Sequence, residues 1–233
     1  MNLDPILISL KTAAVAILLT FVIGTLLAYV VYKMKSRVLK SVLDAVLTLP
    51  LVLPPTVAGF FLLYIFGVYR PIGKLLGEIG VKLVFNWPAT VVAAVVIALP
   101  LMYRSAKAAF LQVDEVYLQA ARTIGMPERA IFVRILLPLA RPGLASGGIL
   151  AFSRGLGEFG ATAMIAGNIP GLTRTMPLAI YSAVSGGNME QAYTYVLILV
   201  LISLVFVLFL SLVLEERRTS SARLYARKRR RAP

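Results

Sequence analysis

Apolar residues in this chain come in long uncharged runs, without the short alternations or narrow stripes of a soluble domain. Four runs, Thr12–Tyr32, Ala45–Tyr69, Leu83–Tyr103 and Gln191–Leu214, are bounded by charge. Each matches the length of about 20 helical residues that a bilayer core about 30 Å thick requires. A fifth, Pro142–Thr173, is interrupted only by Arg154 and Glu158 and is otherwise rich in Gly, Ala and Ile. The pattern predicts an all-α fold, a polytopic membrane helical bundle with five transmembrane helices. The first run follows Asp4 where a cleaved leader would carry basic residues, and it is long for such a leader, so it is expected to stay in the membrane.

Prolines and glycines shape these runs. Pro50, Pro54 and Pro55 fall in the second and Pro100 in the third, so both are expected to bend. Bent membrane helices free carbonyls that a neighbouring helix or a wet cavity must satisfy, a feature of transporters and channels, although a proline kink also serves packing alone. In the fifth run Gly143, Gly147, Ala151 and Gly155 recur every fourth residue and form a ridge that another helix can approach closely. That ridge predicts a buried helix.

Charge then gives an orientation. The segments Lys33–Lys40, Arg104–Arg141 and Arg217–Arg231 hold 18 of the 24 lysines and arginines, and short cytoplasmic loops carry such an excess. The N-terminus is therefore expected outside and the C-terminus inside the cell membrane. Residues 1–216 are expected to form the transmembrane domain, including a cytoplasmic loop at 104–141, and residues 217–233 a basic tail. A net charge of +14 invites a nucleic-acid reading, but a basic tail beside a span is read as an anchor on anionic headgroups of the lipid bilayer, with no nucleic acid as partner.

Candidate chemistry is sparse. With no cysteine and no histidine, disulfides, thiolate nucleophiles, Ser-His-Asp triads and histidine-ligated metals are excluded. Gly155-Leu-Gly157-Glu-Phe-Gly160 has the letters of a dinucleotide fingerprint but lies in a membrane segment with no strand before it. Gly67 to Gly73-Lys74 has one residue too many for a phosphate loop, and Leu75 stands where a hydroxyl must meet magnesium. The chain is read as no enzyme, with no metal or catalytic site of its own.

Arg154 and Glu158, one helical turn apart, can pair on one face, and either alone at the membrane centre would cost about 2.5–3.5 kcal/mol. They form either a polar station on a translocation path or a structural ion pair. A proton-coupled secondary carrier using Glu158 is a reading of a different class, weakened because no other apolar run contains an Asp or Glu.

The loop at 104–141 reads as helix, break, helix. Asp114 suits an N-cap, Glu115 favours the first turn, and Val116, Ala120 and Ile124 share a face until Gly125 stops the helix. Pro127 suits a first helical position, and Ile131, Phe132, Ile135 and Leu136 make an apolar stripe ending at Pro138. The small pair Ala120-Ala121, expected to be exposed, suits insertion into a partner's groove.

Gln119-Ala120-Ala121, three residues, Gly125, nine residues and Ile135-Leu136-Leu137-Pro138 together resemble the EAA loop of binding-protein-dependent ABC importers, with Gln in place of the usual first Glu. The stretches Leu156-Gly157-Glu158-Phe159-Gly160-Ala161-Thr162, Ile165-Ala166-Gly167-Asn168-Ile169-Pro170-Gly171 and Met176-Pro177-Leu178-Ala179-Ile180-Tyr181 resemble the molybdate and tungstate permeases more than the sulfate permeases, which remain the alternative branch. The resemblance runs from about Leu43 to Tyr181.

It implies the transmembrane subunit of an ATP-driven importer of molybdate or tungstate. The implied partners are a second copy of the chain, a dimer of ABC ATPase subunits that binds the ATP and Mg, and an extracytoplasmic oxyanion-binding protein. Gln119, Ala120, Ala121, Gly125, Ile135, Leu137 and Pro138 would contact the ATPase. A tetrahedral dianion passing between two copies needs hydroxyls and amides, not a tight cationic cage that would trap it. Ser153, Thr162 and Thr56 are the candidates, with Arg154 and Glu158 as gate residues.

Overall fold

The computed structural model describes residues 2–229, and every regular element among them is helical. Helix α1, Asp4–Lys33, opens with Asp4 and Pro5 and closes on Lys33, charges that suit the two ends of its dipole. It buries a seam of small residues, Ala13, Ala16, Thr20, Gly24 and Ala28, at helical spacing. The seam faces α5, Trp87–Leu111, started by Asn86, whose side chain accepts the Trp87 N–H at 2.8 Å. A Cβ at Gly24 would stand 2.8 Å from Met102 Cγ, so these two helices meet with no room for a side chain.

Helix α5 is the hub. Ala89, Ala93, Ala94, Ile97, Met102 and Ala106 are all buried, with α1 on one side and α8, Leu137–Leu156, on the other. The small-residue ridge of α8 forms this second contact: a Cβ at Gly143 would sit 2.5 Å from Ala109 Cβ, and one at Gly147 2.6 Å from Ser105 Cβ. Toward the other end the fit loosens, and a Cβ at Gly155 would meet Ala94 at an ordinary 3.8 Å. Beside the ridge, Phe152 and Leu156 of α8 are buried against Ala13, while Leu139 and Leu150 on the remaining face are exposed.

The second apolar run bends as the prolines predict, and further than a kink. Helix α2, Arg37–Val52, ends at Leu53 and Pro54, both extended, and α3, Pro55–Phe66, leaves at 115°. The residue before a proline avoids helical geometry, and here Leu53 precedes Pro54 and Pro54 precedes Pro55. Pro100, by contrast, sits buried inside an unbroken α5; its missing N–H leaves the Val96 carbonyl without an intrahelical partner but does not end the helix. A short helix α4, Pro71–Glu78, follows α3.

Two expectations are corrected between α5 and the end of the fifth run. The loop at 104–141 is shorter, because α5 continues to Leu111 and the next long helix starts at Glu128. It contains α6, Glu115–Thr123, and is followed by α7, Glu128–Ile131, a π-helical turn at Phe132–Leu136, and α8 in one run. Basic residues such as Arg129, Arg134 and Arg141 lie on the exposed side of this run, so charge marks its solvent edge and not its end. Pro138 does not stop it either: the π turn, in which the Leu137 N–H reaches the Phe132 carbonyl, widens the helix where the proline ring would strike the preceding turn.

The fifth span is accordingly Glu128–Leu156 and not Pro142–Thr173. After Leu156 the chain breaks, forms the short α9, Gly160–Ile165, loops to α10, Met176–Ser185, and enters α11, Met189–Arg229. Helices α1, α5, Glu128–Leu156 and Met189–Leu208 are each long and apolar enough to cross a bilayer, and the bent pair α2–α3 meets the same test when its two limbs are counted together. The expected boundary at 216/217 falls inside α11, and residues 230–233 of the basic tail lie outside the described residues.

The ridge yields a graded prediction. Gly143→Ala and Gly147→Ala should each lower the unfolding free energy of the detergent-solubilised protein by about 1–3 kcal/mol through overpacking. Gly155→Ala, with room for its methyl, should be neutral or gain up to about 1 kcal/mol from helix propensity. Equal effects at all three positions in thermal or denaturant unfolding would contradict this packing.

Candidate functional site

Helix α6 is built to be held firmly. The Asp114 carboxylate accepts the Val116 N–H at 3.0 Å, and at the other end Gly125 adopts φ +78°. There the Met126 N–H reaches the Ala121 carbonyl at 3.1 Å and the Gly125 N–H the Arg122 carbonyl at 2.9 Å, the paired bonds of a Schellman stop. Leu118 and Ala121, three residues apart, are buried in a cluster with Phe110, Ile131 and Leu136. Tyr29, Phe110 and Phe132 stack beneath them, Tyr29 and Phe132 with centroids 4.0 Å apart.

One carboxylate adds a polar brace. Glu128 accepts from Arg122 Nε at 2.8 Å and from Lys33 Nζ at 2.9 Å, joining the end of α6 to the end of α1. Its hydrogen bond holds the Arg122 guanidinium above its ordinary pKa.

This seating divides the residues expected to contact the ATPase. Gln119, Ala120 and Gly125 are exposed, together with the apolar Val116 and Ile124, so the face read from the sequence as Val116, Ala120 and Ile124 is open. Ala121 is not open. It is only 3% exposed and belongs to the seam that roots α6 on its own protein, which corrects the expectation of an exposed pair. A nine-residue helix has both faces to fill, and Ala121 lies on the same side as Leu118. Ile135, Leu137 and Pro138 are half-buried, the first two against that same cluster, and form the root rather than the outer face.

A second polar site lies at the break after α8. Arg154 Nη1 stands 2.8 Å from Glu158 Oε2, so the expected pair forms, but Glu158 lies beyond the helix end and not on a continuous face. Its other oxygen accepts the Ala161 N–H at 2.8 Å, capping α9. Oε2 has no partner in hydrogen-bond geometry, so its contact with Arg154 is one of charge. The carboxylate is buried while the arginine reaches the surface at 33% exposure.

Helix α9 presses on α3: a Cβ at Gly59 would stand 2.6 Å from Ala161 Cα, and one at Gly160 3.2 Å from Thr56 Cγ2. Thr56, Glu158 and the buried Thr162 are thus gathered on the elements of one junction, whereas Ser153 is on an exposed face of α8. The following loop is self-bonded. Asn168 accepts from Arg174 Nε at 2.8 Å and donates to Ser182 Oγ at 2.7 Å, and Gly167 and Gly171 take the positive φ values the turns need.

One cluster was not legible as a site. Asp44 on α2 accepts from the Lys107 ammonium and the Tyr103 hydroxyl on α5. In the sequence Asp44 marks the edge of a run, but α2 starts at Arg37, so the carboxylate stands inside the helix that opens the second run. Tyr103 and Lys107, one turn apart, were the available signal.

The inner membrane component of binding-protein-dependent transport systems matches residues 6–221. A molybdenum transport system permease protein of Bacillus subtilis (strain 168), YvgM, is 44% identical over 207 residues, 88% of this chain and 91% of that one. ModB, the molybdenum transport system permease protein of Escherichia coli (strain K12), is 40% identical over 217 residues, 91% and 94% of the two chains. The fold is similar to that of a solved chain of the inward-facing MetNI methionine ABC transporter, with a TM-score of 0.71 at 19% identity, covering 91% of this chain and 94% of that one. With its apolar helices it is a multi-pass protein of the cytoplasmic membrane. The chain belongs to the family of binding-protein-dependent transport system inner membrane components.

Proposed function

We propose that this permease is half of an ATP-driven importer of molybdate, tungstate or both, its pathway formed between two copies of the chain. The observation that carries the coupling part is α6, a rigidly capped and rooted helix presenting the apolar face Val116, Ala120 and Ile124 outward. The names of the relatives supply the oxyanion. In this reading the N-terminus is outside and the C-terminus inside, α6 meets a dimer of ATPase subunits that holds ATP and Mg, and a binding protein delivers the oxyanion from the other side. Domain 1–216 does the transport and the basic stretch 217–233 lies against cytoplasmic headgroups.

ATP changes the balance of states only through its differential affinity for them, so the ATPase dimer must pull α6 more in one state than in the other. Gln119, Ala120 and Gly125 make that contact, while Ala121, Ile135, Leu137 and Pro138 pass the load to the bundle. Arg154, Glu158, Thr162 and Thr56 form the gate at the α3–α9 junction, with Ser153 on the pathway. The bound-up state of Glu158, one oxygen on a backbone N–H and the other on Arg154, suits a fixed gate strut better than the proton relay of a secondary carrier.

The substrate is tested by reconstituting the permease with its ATPase and binding protein in liposomes. ATP-dependent uptake of labelled molybdate should be blocked by excess tungstate and not by sulfate. Competition by sulfate moves the chain to the sulfate branch, and uptake driven by a pH gradient without ATP overturns the reading.

Two substitutions separate face from root. Ala120→Trp should leave membrane insertion intact while the ATPase no longer co-purifies; Ala121→Trp, aimed into the seam, should lower the yield of folded permease itself. Co-purification unchanged by Ala120→Trp would reject α6 as the contact.

At the gate, Glu158→Gln keeps an acceptor for Ala161 but leaves the Arg154 charge unmatched, and Arg154→Met leaves Glu158 unmatched. Each single change should be less stable than the double, with a coupling of about 1–3 kcal/mol in a thermal-unfolding cycle. Strictly additive effects would mean the pair is not one unit.

A further inference from the structure

Helix α6 and the α9 gate sit on opposite halves of α5. Leu118 and Ala121 of α6 share a cluster with Met102, Ala106 and Phe110, whereas Ala161 and Ile165 of α9 share theirs with Ala89, Ala93 and Ile97. A second connection between the two halves runs through the bent arm α2–α3. Its far limb, α3, presses on α9 at Gly59. Its near limb, α2, has no fully buried residue; Val38, Val42, Val46 and Leu49 are exposed, and only Leu43 and Leu47 lean on the core. Apolar contact therefore seats α2 weakly.

What fixes α2 in place is polar. Asp44 takes both the Lys107 ammonium and the Tyr103 hydroxyl, and the side chains of Lys107 and Asp44 are only 18% and 32% exposed. So sheltered, the pair is only partly screened by solvent, and removing one partner leaves the other charge half-buried and unmatched. Lys107 is four residues before the end of α5, and Asp114, three residues past that end, caps α6. The tether thus joins α2 to the part of α5 that leads directly into the coupling helix.

We propose that Asp44 is a positioning residue for transport: held by Lys107 and Tyr103, it ties α2 to the coupling end of α5, so that the bent arm carries displacement of that end to α9. The inference rests on the importer reading for its transport consequence, but the tether itself is a property of this chain alone. Asp44 touches no substrate. It acts through α3, whose Gly59 contact with Ala161 leaves no slack for the arm to move without moving α9.

The chain has no cysteine, so Val46→Cys and Leu111→Cys, both at exposed positions of α2 and the end of α5, give unique sites for spin labels. In labelled full-length chain diluted with unlabelled chain in lipid nanodiscs, the α2–α5 distance distribution should be narrow, broaden with Asp44→Asn, and narrow again in the exchange Asp44→Lys with Lys107→Asp. Should Asp44→Asn not accumulate, Tyr103→Phe removes one of the two donors and should give an intermediate width.

In liposomes with ATPase and binding protein, Asp44→Asn should lower molybdate uptake per ATP hydrolysed about tenfold while hydrolysis itself changes no more than about twofold, and the exchange should restore most of the uptake. An unchanged distance distribution with Asp44→Asn, or unchanged uptake per ATP, overturns the proposal; so does a fall in uptake that only tracks loss of assembled complex. If the unsubstituted complex shows no ATP-dependent uptake, the importer reading fails, and the distance measurement still decides the tether.

Discussion

The structure depends on how closely backbones approach along α5. Between helices in a bilayer the hydrophobic effect gives no net drive, because lipid tails are as apolar as leucine, so cohesion must come from close packing and from polar contacts. Gly24 against Met102, Gly143 against Ala109 and Gly147 against Ser105 supply that packing on two sides of one alanine-rich helix. Once α1, α5 and α8 are joined in this way, their ends form a base wide enough to seat α6 through Leu118 and Ala121. A helix as short as α6 has no stability of its own; its order is borrowed from this base and from its two caps.

Polar groups in the bundle are handled one by one. Thr12 and Thr90 meet at 2.8 Å, Trp87 Nε1 donates to Thr12 at 3.1 Å, and Lys11 lies over the Trp87 ring, a cluster that ties the start of α5 to α1. Ser9 accepts the Met176 N–H at 2.7 Å and so fixes the start of α10 against α1. Glu158 and Asp44 do the same for α9 and α2, but with charge. The neutral contacts tie α5 and α10 to α1, while the two buried or half-buried carboxylates hold elements next to an interruption, Glu158 the turn between α8 and α9 and Asp44 the near limb of the bent arm. Charge-assisted bonds are the stronger sort, and an apolar surrounding raises the penalty for separating them, which suits joints that must stay closed while the parts around them turn.

Much of this was legible in the sequence, for reasons that can be traced to residues. The spans showed because a bilayer demands length without charge, a bend in the second run, though not its 115° size, because Pro54 and Pro55 disfavour helical geometry before them, and the α6 stop because a glycine at 125 takes its positive φ without strain. The ends of helices were misplaced where charge was taken as a boundary. Lys107 is matched by Asp44, and Arg134 and Arg141 lie on exposed sides, so the helices run on past them.

The Ala120–Ala121 pair failed for another reason: adjacent helical residues lie about 100° apart, and only the tertiary seat decides which one faces out. At the α8–α9 break the pairing of Arg154 with Glu158 was visible from spacing alone, but the break itself was not, since Gly157 and Gly160 lie within an apolar run that otherwise reads as one helix. The Asp44 cluster joins residues 59 and 63 positions apart, a separation at which no periodicity speaks.

An importer of the proposed kind needs parts that do not deform and parts that do, and this chain offers both, divided by side-chain size. Where glycine and alanine face one another, as along α1, α5 and α8, the fit has no slack, so a shift of one helix must become a shift of all three. Where prolines or a lone turn interrupt the helix, at Leu53–Pro55, at the π turn before Pro138 and at Gly157–Phe159, backbone bonds are already missing or rearranged, and a change of angle breaks nothing further. The π turn lies between α6 and α8, and the other two interruptions flank the α3–α9 contact. In the importer reading, motion that enters at α6 leaves that trio undeformed, and the changes of angle fall at the interruptions beside α6 and on either side of the tight α3–α9 contact, which moves as one piece.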